Sequence, residues 1–189
     1  MTDPDAICAV LATVPVRRLK ATLVRRVALD PLIEGGGPDF LFTSGRANRY
    51  NPAGVACVYF SEDERTARAE YDRRAARRSK GHQPLGTFFA DVDLGKVLDL
   101  VDDSARKAVG LSAKDLGAHW HRARRPTKSQ LLGMAVSCQT SIAAIRFPSD
   151  AARATGFTGF NVVIFRHCLR RPDYVRILGA TKRPLQKWP

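Results

Sequence analysis

Hydrophobic and polar positions along this chain fall into short blocks rather than long periodic runs. Thr22 to Ala28 (TLVRRVA) and Val55 to Phe60 (VACVYF) have the length and the β-branched or aromatic content of strands. Between them Gly35, Gly36, Gly37 and Pro38 break any regular element, so Asp30 to Phe40 reads as a loop, and a second turn falls at Ser44 to Gly54. The second strand should lead directly into a helix from about Glu62 to Ser79, with Ser61 and Glu64 at capping-box spacing. Gly86 to Val92 predicts a strand, and short helices fit Ser104 to Val109 and Ser112 to Leu116. Pro126 suits the first position of a helix reaching Gln139, where its missing N–H is no loss. Three further strands are expected at Ile142 to Phe147, Asn161 to Arg166 and Tyr174 to Ile177. This order implies an α+β fold: a single domain of mostly antiparallel sheets with flanking helices.

Composition narrows the picture. With 189 residues, 44% hydrophobic and 26% charged, the chain can bury a core, which excludes disordered, collagen-like and coiled-coil classes. Neither a repeat nor a polar linker divides it. The 31 Lys and Arg against 18 Asp and Glu leave a net charge of +13, which favours an anionic partner. The apolar stretch Ala6 to Val16 is too short to span a bilayer, and Asp3 and Asp5 stand where a secretory signal would be basic, so a cytoplasmic protein is expected. Cys8, Cys57, Cys138 and Cys168 are scattered and read as buried free thiols. His82, His119, His121 and His167 form no ligand set, and no metal is expected.

Three features carry potential chemistry. Arg25 and Arg26 are neighbours on a strand, so one of them should face inward, where it needs either an anionic ligand or a structural carboxylate. Arg49-Tyr50-Asn51-Pro52 forms a turn just ahead of a buried strand, which suits an anion clamp with a flat stacking surface, or else an ordinary polar turn. Tyr59 ends that strand. Glu70 lies on the flank of the apolar stripe Ala67, Tyr71, Ala75, where it can reach the core edge or pair with Arg74 at i,i+4.

In this order the segments resemble the RES domain family, which supplies the toxin of many bacterial toxin–antitoxin pairs. The resemblance runs from about Thr22 to Leu178. It is carried by Leu23-Val24-Arg25-Arg26-Val27, by the turn Arg49-Tyr50-Asn51-Pro52-Ala53-Gly54, and by Val58-Tyr59-Phe60-Ser61 followed by Thr66-Ala67-Arg68-Ala69-Glu70. Arg146-Phe147-Pro148-Ser149 and Asn161-Val162-Val163-Ile164 complete it. It implies an ADP-ribosyltransferase-like catalytic domain over 22–178, with an N-terminal extension 1–21 and a tail 179–189. It also implies an enzyme that consumes NAD as substrate, by degrading it or by transferring ADP-ribose to a protein, and that a cognate antitoxin holds inactive. By the same resemblance Arg26 and Arg49 would hold the pyrophosphate, and Tyr59 would stack on nicotinamide or the ribose edge. Glu70 would stabilise the oxocarbenium-like ribose, and Ser149 would hydrogen-bond the nicotinamide amide.

Two departures stand out. The Gly expected directly before Arg49 is absent, and Ser44-Gly45-Arg46 lies just upstream, which makes Arg46 a rival; the residues after Arg49 favour Arg49. The Asn-Pro close of the last segment is replaced by Phe165-Arg166, so Asn161 stays outside the implied site. The implied partner is an antitoxin with a helix-turn-helix (Xre-like) domain, with nucleic acid reached only through it and no membrane. The competing reading is a basic nucleic-acid-binding domain without catalysis, drawn from the clusters Arg65 to Lys80 and His119 to Lys128. No known module or interleaved aromatic pattern supports it.

Overall fold

The computed structural model describes residues 4–29, 41, 46–76, 84–117, 120–139, 141–179 and 184–189. Seven strands form one sheet system: β1 (Arg17–Ala28), β2 (Cys57–Ser61), β3 (Leu85–Asp99), β4 (Ala144–Pro148), β5 (Phe160–Phe165), β6 (Tyr174–Leu178) and β7 (Pro184–Trp188). The helices are α1 (Pro4–Leu11), α2 (Glu64–Ala75), α3 (Asp103–Ala108), α4 (Ala113–Leu116), α5 (Lys128–Gln139) and α6 (Asp150–Ala154). The chain is thus a single α+β domain, as its pattern predicts.

The strand order is β1-β2-β5-β4-β3-β6-β7, and a further β1–β3 pairing closes the first five strands into a circuit. Every pairing is antiparallel except β3–β4. The long strand β3 joins two parts of the sheet: it pairs with β1 along most of its length, with β6 over Phe89 to Asp93, and with β4 only at Val97 to Asp99. The outer segments share this sheet, with Arg17 to Ala21 inside β1 and β7 pairing with β6.

Alternation along β2, β4 and β5 sorts side chains into two cores. Val58, Phe60, Ala144, Val162 and Ile164 pack with Leu23, Val92 and Ile177. The intervening Cys57, Tyr59, Ile145, Phe147, Val163 and Phe165 pack on the other side, against Ile7 and Leu11 of α1 and Leu132 and Val136 of α5. Gly133 lets α5 approach closely, since a Cβ there would overlap the Tyr50 carbonyl.

Several local expectations need correction. The long early helix starts later than Glu62 because its cap is Asp63: one carboxylate oxygen accepts from Thr66 N at 2.7 Å and the other from the Thr66 hydroxyl at 2.8 Å. Ser61 is instead the last residue of β2. Pro126 precedes α5 rather than opening it, and Thr127 and Gln130 form the reciprocal cap. Cys57 and Cys168 are buried thiols, but Cys138 is exposed. The glycine-rich loop predicted at Asp30 to Phe40 lies outside the described residues, as do His82 and His119. Among the described residues no cluster of metal-ligating side chains occurs, and no helix is long and apolar enough to cross a membrane.

Candidate active site

A cleft opens where α2 crosses the ends of β1, β2 and β5 and meets the start of α6. Glu70 lines it. On α2 it follows Thr66 by four residues and Ala67 by three, so it shares the face that those two buried residues turn toward the sheet. Its Oε1 accepts from the Ser149 hydroxyl at 2.8 Å and from Asn161 Nδ2 at 2.7 Å. The Ser61 hydroxyl donates to Asn161 Oδ1 at 2.8 Å, which fixes the amide orientation and extends the chain of contacts into β2. Ser149 also caps α6 by accepting from Ala152 N at 3.1 Å. Among the described residues Glu70 Oε2 makes no hydrogen bond, and no Glu70–Arg74 ion pair forms. The sequence-based alternative of a solvated i,i+4 pair is therefore replaced by a carboxylate fixed through one oxygen.

Arginines surround this carboxylate. Arg25, Arg26 and Arg49 line the cleft from β1 and the turn, and Arg73 and Arg74 line it from α2. Neither Arg25 nor Arg26 pairs with a structural carboxylate among the described residues, and the Nε of each is buried without a hydrogen bond. Arg25 Nη1 donates to the Tyr59 carbonyl at 2.7 Å. Burial, reinforced by the Arg74 charge, lowers the Arg25 pKa to about 9. By contrast, Arg146 shows what a structural arginine looks like here: it is bidentate to Glu62 at 2.5 and 3.0 Å, reaches Asp99 at 3.2 Å, and stacks on Phe160.

Arg49 is held rather than free. Its Nη1 donates to the Leu116 carbonyl and its Nη2 pairs with Asp150 at 3.0 Å. The rival Arg46 is exposed and does not line the cleft. Tyr50, the expected stacking surface beside Arg49, is wholly buried against Phe147 with ring centroids 4.5 Å apart, so it serves the core instead.

Tyr59 lines the cleft, but its hydroxyl is fully engaged. It donates to Asn51 Oδ1 at 3.0 Å and accepts from Tyr50 N at 2.9 Å, and burial pushes the phenol well above its usual pKa. Its polar end therefore builds the Arg49 turn. Ser149 sits behind Glu70, at 2% exposure and outside the cleft lining, so it contacts the carboxylate rather than facing a ligand. Sequence reasoning named Asn161 but left it outside the site, gave Ser61 only a capping role, and did not single out Asp150. The signal available for Asn161 was its parity with Val163 and Phe165 on a strand whose other residues are apolar.

The basic cluster on α2 splits by function. Arg65 stacks on Phe157 at 3.9 Å and Arg68 faces Asp72 across one helical turn at 3.6 Å, leaving Arg73 and Arg74 at the cleft. The cleft encloses about 110 Å³, below the roughly 300 Å³ or more of a pocket that engulfs a drug-sized ligand.

A family model described as the RES domain matches residues 34–186. No curated protein matches the chain. Among solved structures, the M. tuberculosis MbcT–MbcA toxin–antitoxin complex contains a chain that superposes with a TM-score of 0.66 at 18% identity, covering 95% of this chain and 92% of that one. At that identity the likeness is one of fold, and it agrees with the single-domain α+β architecture that the sequence pattern predicts.

Proposed function

Because the chain belongs to the RES domain family, we propose that it is an NAD-consuming enzyme acting as the toxin of a toxin–antitoxin pair. One observation carries this reading: a carboxylate fixed through a single oxygen shares a small cleft with five arginines. When the bond from ribose C1′ to nicotinamide N1 breaks, the electron pair leaves with nicotinamide and positive charge develops on the ribose. Glu70, preorganised by Ser149 and Asn161, stabilises that charge in place. A nucleophile then bonds to C1′ and releases its proton; water gives ADP-ribose, phosphate gives a phosphorylated product, and a protein side chain gives transfer. Arg26 offers a forked donor to the pyrophosphate, while Arg25, whose Nη1 is engaged by the Tyr59 carbonyl, adds positive charge along its path together with Arg49, Arg73 and Arg74. Tyr59 contributes a ring face at the wall while its hydroxyl shapes the turn.

The net charge of +13 supports docking of an acidic antitoxin, with electrostatic steering of the encounter. The MbcT–MbcA complex is a precedent for a pair of this kind on the same fold. In this reading the antitoxin carries the helix-turn-helix domain and any DNA contact, and the toxin acts in the cytoplasm.

The test is nicotinamide release by the purified protein supplied with NAD. Glu70→Gln keeps an oxygen that can accept from Ser149 and Asn161 but removes the charge, so turnover should fall by about 100-fold or more with the melting temperature retained. Wild-type turnover in that variant would discard the role of Glu70. Labelling of an extract protein without free ADP-ribose would identify transfer. No NAD loss by either route, together with steeply salt-dependent DNA binding, would return the nucleic-acid reading.

A further inference from the structure

The cleft is lined by four benzenoid or indole side chains, and three of them are committed to the cores. Tyr59, Phe60 and Phe147 are 9%, 2% and 4% exposed. Trp120 is the half-buried one. It opens a 3-10 turn, Trp120–Arg122, between α4 and α5, and its ring meets exposed His121 nearly perpendicularly, at 83° with centroids 5.6 Å apart. Among the described residues this is the one ring contact of Trp120, and a perpendicular neighbour does not cover both faces of an indole.

The segment that carries Trp120 is tied to the arginine wall. Leu116, four residues earlier, accepts from Arg49, and Gly117 lies against Asp150, the partner of Arg49. We infer that Trp120 is the stacking platform for the adenine of the dinucleotide and sets the preference for a dinucleotide over a mononucleotide. This rests on the NAD reading above and deepens it. The chemistry puts the nicotinamide ribose at Glu70, and the cleft is too small for both bases. The adenine therefore lies beyond the pyrophosphate, on Trp120, which lines the same cleft as Arg73 and Arg74. Adenine has an extended π face that stacks on indole whatever its hydrogen-bonding edge does.

The test compares NAD with nicotinamide mononucleotide, which keeps the scissile bond and lacks the adenine half. Binding is titrated by calorimetry in the Glu70→Gln background, where turnover is too slow to deplete either ligand during the titration. Trp120→Ala should weaken NAD by roughly 5- to 150-fold and change the mononucleotide by less than about twofold, and Trp120→Phe should restore most of the loss. AMP should quench tryptophan fluorescence in the Glu70→Gln protein and not when Trp120→Phe is added. Equal weakening of both ligands, or of neither, overturns the assignment while leaving NAD cleavage standing. Retained Trp120-dependent AMP binding in a protein that never consumes NAD would instead overturn the enzymatic reading and keep the adenine platform.

Discussion

Asp150 pairs with Arg49 at 3.0 Å while its chain neighbour Ser149 donates to Glu70 at 2.8 Å. The cap and first residue of α6 thereby hold one cation and one anion of the same cleft through adjacent positions of the chain. Both partners of the ion pair are largely shielded, at 18% and 13% side-chain exposure, which puts the pair between the surface and buried regimes. Asp150→Ala should lower stability by about 1–3 kcal/mol and weaken NAD binding several-fold, because Arg49 loses its anchor. Thermal melting with an NAD titration checks this; an unchanged melting point together with unchanged affinity would show that the Leu116 carbonyl alone positions Arg49.

Asn161→Asp tests the environment of Glu70 through pH. The Asn161 amide donates to Glu70 Oε1 at 2.7 Å, so an aspartate there places two carboxylates in contact. Such a pair holds a proton more tightly than separate carboxylates do. In the folded variant that pKa lies above its unfolded value, so the variant matches wild type below the unfolded carboxylate pKa and loses stability as pH rises through the raised one. The melting-temperature gap to wild type should widen from about pH 4 to pH 7, and the activity optimum should move to lower pH. A gap that does not depend on pH would mean that the side chains separate.

Much of this was legible in the chain. The strands announced themselves by composition, and β2 and β5 are so thoroughly buried that CVYF and NVVIF admit few other readings, although Val55 and Ala56 fall before β2 begins. Glu70 was legible because helical spacing from Ala67 puts it on the inward flank. The contacts of Glu70 were not legible. Ser149 and Asn161 are 79 and 91 residues away from it in sequence, and Asn161 reaches it only because β5 pairs with β2 in the register Ser61 to Asn161. Tyr50 misled for a related reason: a Tyr in a polar turn looks available, yet the close approach of α5 at Gly133 seals it beneath the helix. Helix starts slipped where two capping residues competed, as with Ser61 and Asp63. The hydroxyl of Ser61 was already committed to Asn161 across the sheet.

Arg25 should be kept at a cost to stability. Among the described residues its guanidinium has one hydrogen bond, to the Tyr59 carbonyl, and a buried Nε without one, and its pKa is lowered to about 9. Arg25→Met fills a similar volume without the charge and should raise the melting temperature by a few degrees, on the order of 1 kcal/mol, while weakening NAD binding. The folded pKa is below the unfolded one, so the folded protein sheds this proton first as pH rises. Wild-type stability therefore gains on the variant above about pH 9, and the difference should narrow there. Melting curves on either side of that pH decide it; a less stable Arg25→Met at every pH would mean that the hydrogen bond to Tyr59 outweighs the desolvation.

Tyr59→Phe separates building the site from doing chemistry in it. The hydroxyl joins the Asn51 side chain and the Tyr50 backbone N–H, both buried, at 3.0 and 2.9 Å. Removing it leaves a donor and an acceptor without partners, each costing about 1–3 kcal/mol. For a domain of this size the melting temperature should fall by about 4 °C or more. The ring face remains, while the Arg49 turn loosens, so the catalytic defect should appear mainly as a higher KM for NAD. The raised pKa keeps the phenol protonated far into alkaline pH, so wild-type activity should show no limb from Tyr59 ionisation across the neutral range. The decisive measurement is kcat and KM with the melting point on the same preparation. A fall in kcat of about 100-fold at an unchanged melting temperature would move the hydroxyl from scaffold to proton transfer, and would require it to leave Asn51 during the reaction.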